Sequence, residues 1–293
     1  MKHVFVLATG RSGTHYLHSL CRANVRDAFC RHEPYFPPRN PNMFGKAVDA
    51  HTRGDIAEVR RLVEKKRRYI SGLRVGAYIE TSHAFLKSYY DLAPEYFDNI
   101  RVFYLLRDPV KTALSEANRE KALDRVCFPF RRYRGADGKK YFRWSLTGNE
   151  PIYQPFRGEP LTLFQKYFLQ WIEIQNRAMW FLDRFEMHDR CVVLDSPREL
   201  NDPRSMKAAL EKLELPRRHS DVTLTGGKNR TPGVPTVVTQ NEEQEAEALL
   251  KRIPCDYLTI FQHPLFARFN WTSRLLAQTG ASDNRSAPPQ GRI

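Results

Sequence analysis

The stretch that decides the fold is KHVFVLATGRSGTHYLHSL, residues 2–20. It opens on the apolar run 4–8, which suits a strand buried on both faces of a parallel sheet. Gly10 and Gly13 then allow backbone conformations and close approaches that a Cβ would forbid. Three side-chain donors stand in this turn, beside the start of a helix predicted over 14–23: Arg11, Ser12 and Thr14. Because a helix N-terminus favours anions, the turn is predicted to hold a phosphate.

The turn departs from the ordinary phosphate-binding pattern G-x-x-x-x-G-K-[ST]. Ala8 replaces the first glycine, and Thr14 and His15 follow the second one. The cation comes earlier, at Arg11. A glycine-rich turn that only joins a strand to a helix stays open as the alternative.

A second segment repeats the arrangement at Ile100–Leu106, IRVFYLL, which is followed by Arg107, Asp108 and Pro109. Proline suits the first turn of a helix, so Arg107 is predicted at the carboxyl end of a buried strand. Ligands bind at that edge of an open α/β sheet. A guanidinium there can hold a phosphate through two parallel hydrogen bonds, and Ser115 can add a hydroxyl.

Together the two segments resemble the sulfotransferases that use 3′-phosphoadenosine 5′-phosphosulfate (PAPS). In that family a basic residue, Ser/Gly-Gly-Thr and a helix bind the 5′-phosphosulfate. A strand, R-[DN]-P and a serine eight residues after the arginine bind the 3′-phosphate. The resemblance covers about residues 1–275 and implies an α/β, P-loop NTPase-like fold with three layers, a parallel sheet between helices. It is nearer to the carbohydrate-type members than to the cytosolic ones, whose longer Arg-Lys-Gly pattern is missing.

The resemblance also implies which residues act. The residues implied to bind PAPS are Arg11, Ser12, Gly13, Thr14, His15, Arg107, Ser115, Lys228 and Arg230. The last two come from a loose match in TLTGGKNRTPGVP. Arg11 is also implied in catalysis, since basic side chains and loop amides can carry the developing charge and no metal is expected.

The acceptor, a hydroxyl or an amine, needs a group that takes its proton, usually His, Glu or Asp. Glu33 is the first candidate, because its loop is stiffened by prolines and carbohydrate sulfotransferases use a glutamate in the comparable place. Glu33 could instead merely pair with Arg31 or Arg39. The other candidates are His83, then His32, with Glu80 also near a strand end.

Composition bounds the class of protein. The 293 residues are 41% hydrophobic and 12% aromatic, which indicates a folded core. Lys and Arg outnumber Asp and Glu by 47 to 33, a formal charge of +14 that favours anionic ligands. Five scattered cysteines without a C-x-x-C spacing indicate free, buried thiols. No leader and no transmembrane stretch is apparent, so a cytoplasmic protein is predicted.

The rest of the chain continues the alternation of strands and helices. Helices are predicted over 44–72, 162–186, 204–215 and 241–252, and strands over 76–80 and 191–195. The run Lys65–Arg68 is predicted to face solvent. One domain is predicted over 1–277, with an insertion at 121–160 forming a lid over the acceptor site, and a disordered tail at 278–293.

Two other functions fit parts of the pattern. A P-loop kinase would need a magnesium-binding carboxylate, for which Asp195 is the available residue. A basic nucleic-acid-binding protein would explain the charge and the aromatic insertion, but not the paired anion-binding turns. No nucleic acid is therefore expected, and a carbohydrate or glycolipid is the predicted acceptor.

Overall fold

The computed structural model describes residues 1–34, 40–226 and 237–277. Lys228, Arg230 and the tail 278–293 lie outside the described residues. The strands are β1 (Lys2–Leu7), β2 (Ala28–Arg31), β3 (Ala77–Glu80), β4 (Ile100–Leu106), β5 (Arg132–Arg134), β6 (Lys140–Phe142) and β7 (Cys191–Asp195). The α-helices are α1 (Thr14–Asn24), α2 (Lys46–Thr52), α3 (Ile56–Ser71), α4 (Phe85–Ser88), α5 (Ala93–Tyr96), α6 (Pro109–Arg125), α7 (Leu163–Arg184), α8 (Pro203–Lys212), α9 (Gln240–Leu250) and α10 (Asn270–Ala277).

Five strands form one parallel sheet in the order β2-β3-β1-β4-β7. The strands β5 and β6 form a separate antiparallel hairpin within the predicted insertion. Because the five strands are parallel, their carboxyl ends lie along one edge of the sheet. The predicted α/β fold, a parallel sheet between helix layers, is confirmed.

Both faces of the sheet are covered. In β1, Val4 and Val6 pack with α1 and α8 on one face. Phe5 and Leu7 point to the other face, which α4, α6 and α7 cover. This alternation explains why the strand is apolar throughout, since each fully buried aliphatic side chain stabilises the fold by about 1.5–3 kcal/mol.

The predicted helix over 44–72 is wrong in its middle. It is divided into α2 and α3 at Gly54, whose φ of 74° is left-handed and ends the first helix. Asp55 then starts α3 by accepting a hydrogen bond from the backbone N–H of Glu58. A left-handed residue followed by a helix cap therefore outweighed the amphipathic pattern.

The prediction that the whole run Lys65–Arg68 faces solvent is also wrong. Lys66 is fully buried, and its Nζ lies 2.6 Å from Oε2 of Glu80 and 2.9 Å from Oδ1 of Asn40. The phenol of Tyr78 also donates to Glu80. A buried ion pair of this kind persists only when further hydrogen bonds satisfy both charges, as they do here.

The insertion is anchored by its own aromatic side chains. Tyr133, Phe142 and Trp144 are buried, and Arg132 forms ion pairs with Glu120 at 2.8 Å and Asp124 at 2.5 Å. These three rings pack inward, so they do not form an exposed stacking surface for bases. Its role as a lid stays a prediction.

The cysteines match the prediction only in part. None of the five forms a disulfide, and Cys21 and Cys191 are buried, but Cys127 and Cys255 are exposed. No helix in the described part of the chain has the length and apolar character needed to cross a membrane.

Candidate active site

A cavity of about 650 Å³ lies at the carboxyl edge of the sheet. Each of the five parallel strands is followed by residues that line it. These are Arg11, Thr14 and His15 after β1, His32 and Glu33 after β2, His83 after β3, Arg107 after β4, and Ser196 after β7. The parallel topology therefore brings together side chains that are far apart in sequence.

The turn between β1 and α1 requires its two glycines. A Cβ on Gly10 would collide with Oε1 of Glu116, and one on Gly13 would lie 2.9 Å from Oγ of Ser196. Gly13 also has a left-handed φ of 91°. Arg11 adopts φ 60°, a conformation that costs a non-glycine residue about 1–2 kcal/mol. Strained residues of this kind often occur at ligand-binding turns.

The two predicted anion-binding segments meet at this turn. Nε of Arg11 donates to Oγ of Ser115 at 3.1 Å, and Nη1 of Arg107 donates to the backbone carbonyl of Arg11 at 2.7 Å. Burial, followed by the neighbouring charges of Arg119 and Arg107, lowers the pKa of Arg11. Cations held this close together repel each other, and an anion placed between them relieves that repulsion.

Residues of the turn differ in how they could contact a ligand. The hydroxyl of Ser12 is buried and lies 2.8 Å from Oγ1 of Thr9, so its side chain supports the turn. Thr14 and His15 line the cavity at the start of α1. The first backbone N–H groups of a helix have no partner within it, and here they lie beside the cavity.

The middle residue of the Arg107-Asp108-Pro109 segment has a structural role. The carboxylate of Asp108 accepts a hydrogen bond from the backbone N–H of Lys111 at 3.0 Å and caps α6. Pro109 occupies the first turn, as predicted. The cap fixes the direction in which α6 leaves the strand, and therefore where Ser115 lies.

Glu33 lies at the cavity wall, just after β2. Its Oε2 accepts a hydrogen bond from the indole N–H of Trp144 at 2.8 Å. Its Oε1 lies 3.5 Å from Nε2 of His32 and 3.6 Å from Nε2 of His83. Burial raises the pKa of Glu33, while Arg119 and the indole N–H act in the opposite direction. A carboxylate whose pKa is raised toward neutrality suits a general base.

The alternative, in which Glu33 pairs with Arg31 or Arg39, is not among these contacts. In the described part of the chain, the guanidinium of Arg31 lies over the ring of Phe29, 4.3 Å from its centroid. Arg39 lies outside the described residues.

The other candidate bases have different surroundings. Burial lowers the pKa of His83 well below its usual value, and burial lowers that of His32 to about 4. Both imidazoles are therefore neutral near pH 7. Nδ1 of His83 is buried and has no hydrogen-bond partner among the described residues. Glu80 is held by Lys66 in the buried pair and does not line the cavity.

Three residues near Glu33 were missed by the sequence analysis: Lys87, Arg119 and Trp144. Arg119 lines the cavity, and its guanidinium lies 4.5 Å from the ring centroid of Trp144. It follows Ser115 by one helical turn, so its position could have been predicted from the i, i+4 spacing. Lys87 is fully buried, which lowers its pKa to about 8, and its Nζ lies 2.5 Å from the carbonyl oxygen of Trp144. Nothing in the sequence signals that contact.

Comparison with known structures finds similar chains. The chain is similar in structure to a sulfotransferase from Alicyclobacillus acidocaldarius, with 15% sequence identity and a TM-score of 0.43 over 88% of this chain and 98% of that one. No protein-family model and no curated protein matches the chain. At this identity and TM-score, function has to be inferred from the chain's own residues.

Proposed function

We propose that the chain is a sulfotransferase that moves a sulfuryl group from PAPS to a hydroxyl or amine of an acceptor. The observation that carries the proposal is the convergence of two anion-binding segments, with Arg11 3.1 Å from Ser115 and Arg107 2.7 Å from the Arg11 carbonyl. PAPS carries anionic groups at both its 5′ and its 3′ position. A protein that binds it needs two neighbouring anion sites of this kind.

The donor supplies an activated sulfuryl group, and the chain supplies charge and position. Arg11 and the N-terminus of α1 contact the 5′-phosphosulfate and stabilise the charge that develops during transfer. Arg107 and Ser115 hold the 3′-phosphate. Lys228 and Arg230 are proposed as further contacts to it. The proposal needs no metal, because these groups supply the positive charge.

Glu33 takes the proton of the acceptor. Its position on the cavity wall, with Oε2 held by Trp144 at 2.8 Å, supports this role. A carbohydrate or glycolipid is the proposed acceptor class. A second cavity, of about 810 Å³ between the insertion and α7, supports it by combining basic and aromatic side chains suited to sugars. Its lining includes Lys139, Lys140, Tyr141, Arg157 and Lys166.

The test is transfer of radiolabelled sulfate from PAPS to a panel of carbohydrate, glycolipid and amine acceptors. We expect transfer without added magnesium, reduced about a hundredfold in Glu33→Gln and retained in Glu214→Gln, a change at an exposed carboxylate paired with Arg101. Magnesium-dependent phosphoryl transfer from ATP, without sulfate transfer to any acceptor, would establish a kinase instead.

A further inference from the structure

Trp144, in the insertion, contacts the candidate base and two cationic residues near it. Its indole N–H donates to Oε2 of Glu33 at 2.8 Å. The guanidinium of Arg119 lies over its ring, 4.5 Å from the ring centroid. Its backbone carbonyl accepts a hydrogen bond from Nζ of Lys87 at 2.5 Å. Trp144 is 4% exposed, so its own side of each contact is shielded from water. Polar contacts shielded in this way are stronger than they would be at the surface.

The neighbours of Trp144 hold it in place. The backbone N–H of Leu146 donates to Oε1 of Gln170 at 2.7 Å, and Nε2 of Gln170 donates to Glu116 at 2.9 Å. Glu116 in turn lies against Gly10 of the anion-binding turn. The segment that carries Trp144 is therefore attached both to α7 and to the residues under the turn.

A buried tryptophan usually finds a partner for its N–H, and a backbone carbonyl would satisfy it equally well. Here the partner is a carboxylate at the cavity wall. The indole contacts Oε2 of Glu33, whereas Oε1 lies near the imidazoles of His32 and His83. The indole therefore distinguishes the two carboxylate oxygens of Glu33.

We propose that Trp144 is a positioning residue that holds the Glu33 carboxylate so that Oε1 receives the acceptor's proton. This rests on the proposed function. As the acceptor oxygen forms its bond to sulfur, the bond from sulfur to the phosphate oxygen breaks and its electron pair leaves on the 5′-phosphate. The acceptor proton passes to Oε1. Trp144 touches neither substrate and acts through Glu33.

Several charged or titratable groups face Glu33 besides the indole. They are His15 in α1, His32 after β2, His83 after β3, Lys87 in α4 and Arg119 in α6. All except His32 come from elements other than the one that Glu33 follows. Arg119, Lys87 and His15 favour the ionised carboxylate, as the indole does, while burial disfavours it. Removing the indole N–H therefore raises the pKa of Glu33 further. A base with a raised pKa is protonated at higher pH, so activity is lost earlier as the pH falls.

The first experiment is the pH profile of sulfate transfer by Trp144→Phe. This change keeps an aromatic face for Arg119 and removes only the hydrogen-bond donor. We expect kcat to fall about tenfold, as for one lost hydrogen bond to a charged group, with KM for PAPS unchanged and the acidic limb displaced to higher pH. The matched control is Trp180→Phe, a half-exposed tryptophan on α7 against Tyr90. A folded Trp144→Phe with the kcat and acidic limb of wild type would overturn the proposal.

The second experiment needs no catalysis and no destabilising change. The indole N–H resonance of Trp144 is followed by NMR between pH 4 and 8 in the ¹⁵N-tryptophan-labelled protein and in Glu33→Gln. We expect the resonance to titrate in wild type and to lose its main transition in Glu33→Gln. If it titrates while no sulfate transfer is found, the contact stands and the proposed function fails. If it does not titrate, or titrates identically in Glu33→Gln, Trp144 does not position Glu33.

Discussion

The 3′-phosphate assignment makes a sharp prediction for Arg107→Ala. The guanidinium lies at the carboxyl end of β4, half-buried, where it can hold a phosphate through two charge-assisted hydrogen bonds. Losing them should weaken adenosine 3′,5′-bisphosphate binding by about 2 kcal/mol or more, since one hydrogen bond to a charged group contributes about 1.5–3 kcal/mol. That is about a 30-fold rise in Kd. Adenosine 5′-phosphate, which lacks the 3′ group, should bind with nearly unchanged affinity.

A second contact of Arg107 could also affect nucleotide binding, and the assay must distinguish its loss from the loss of the 3′-phosphate contact. Arg107 also donates to the carbonyl of Arg11 at 2.7 Å, so its removal could loosen the turn that holds the 5′ end. Titration calorimetry with both nucleotides at constant ionic strength distinguishes the two effects. Arg101→Ala is the matched control, because Arg101 lies in β4 near the end opposite to Arg107 and pairs with Glu214 at 3.0 Å. An equal loss of affinity for both nucleotides in a folded Arg107→Ala would refute the assignment.

Three further predictions concern catalysis and stability. Arg11→Ala should lower kcat more than it weakens binding of the bisphosphate product, because transfer builds charge that the ground state lacks; an unchanged kcat would exclude this role. Glu33→Gln should reduce turnover about a hundredfold with nucleotide affinity intact. If Glu33→Gln keeps near-full activity and His83→Ala is inactive, His83 is the base instead. Lys66→Met should lower the free energy of unfolding by about 3–5 kcal/mol in urea, since it leaves Glu80 buried without its cation. Lys66→Met combined with Glu80→Gln should lose less, and an equal or larger loss would show that the pair's charge is not what matters.

The sheet could be predicted from the sequence because its central strands are continuous apolar runs. β1 and β4 are buried on both faces, and such strands leave a local signal. β2 was missed because Ala28–Arg31 is a short edge strand whose four residues are only half-buried. Its sequence, AFCR, has neither the length nor the alternation that marks a strand.

The sequence predicted candidate site residues only where a charged or polar residue follows the end of a strand. Arg11, Glu33 and Arg107 all stand there, and the parallel sheet brings them to one cavity. The partners that tune them were not readable, because they are fixed by tertiary packing: Trp144 approaches Glu33 from 111 residues away. Lys66 shows the same limit, since an amphipathic helix pattern cannot reveal that one of its lysines is buried against Glu80.

The most direct test of the account is a thermal melting series with adenosine 3′,5′-bisphosphate, ATP and GTP, each with and without magnesium. A ligand that binds only the folded state raises the melting temperature, and at 100 times its Kd it adds about 2.7 kcal/mol to stability. The two proposed anion sites predict the largest rise for the bisphosphate, independent of magnesium. A higher melting temperature with magnesium and ATP or GTP, and no change with the bisphosphate, would contradict the proposed function.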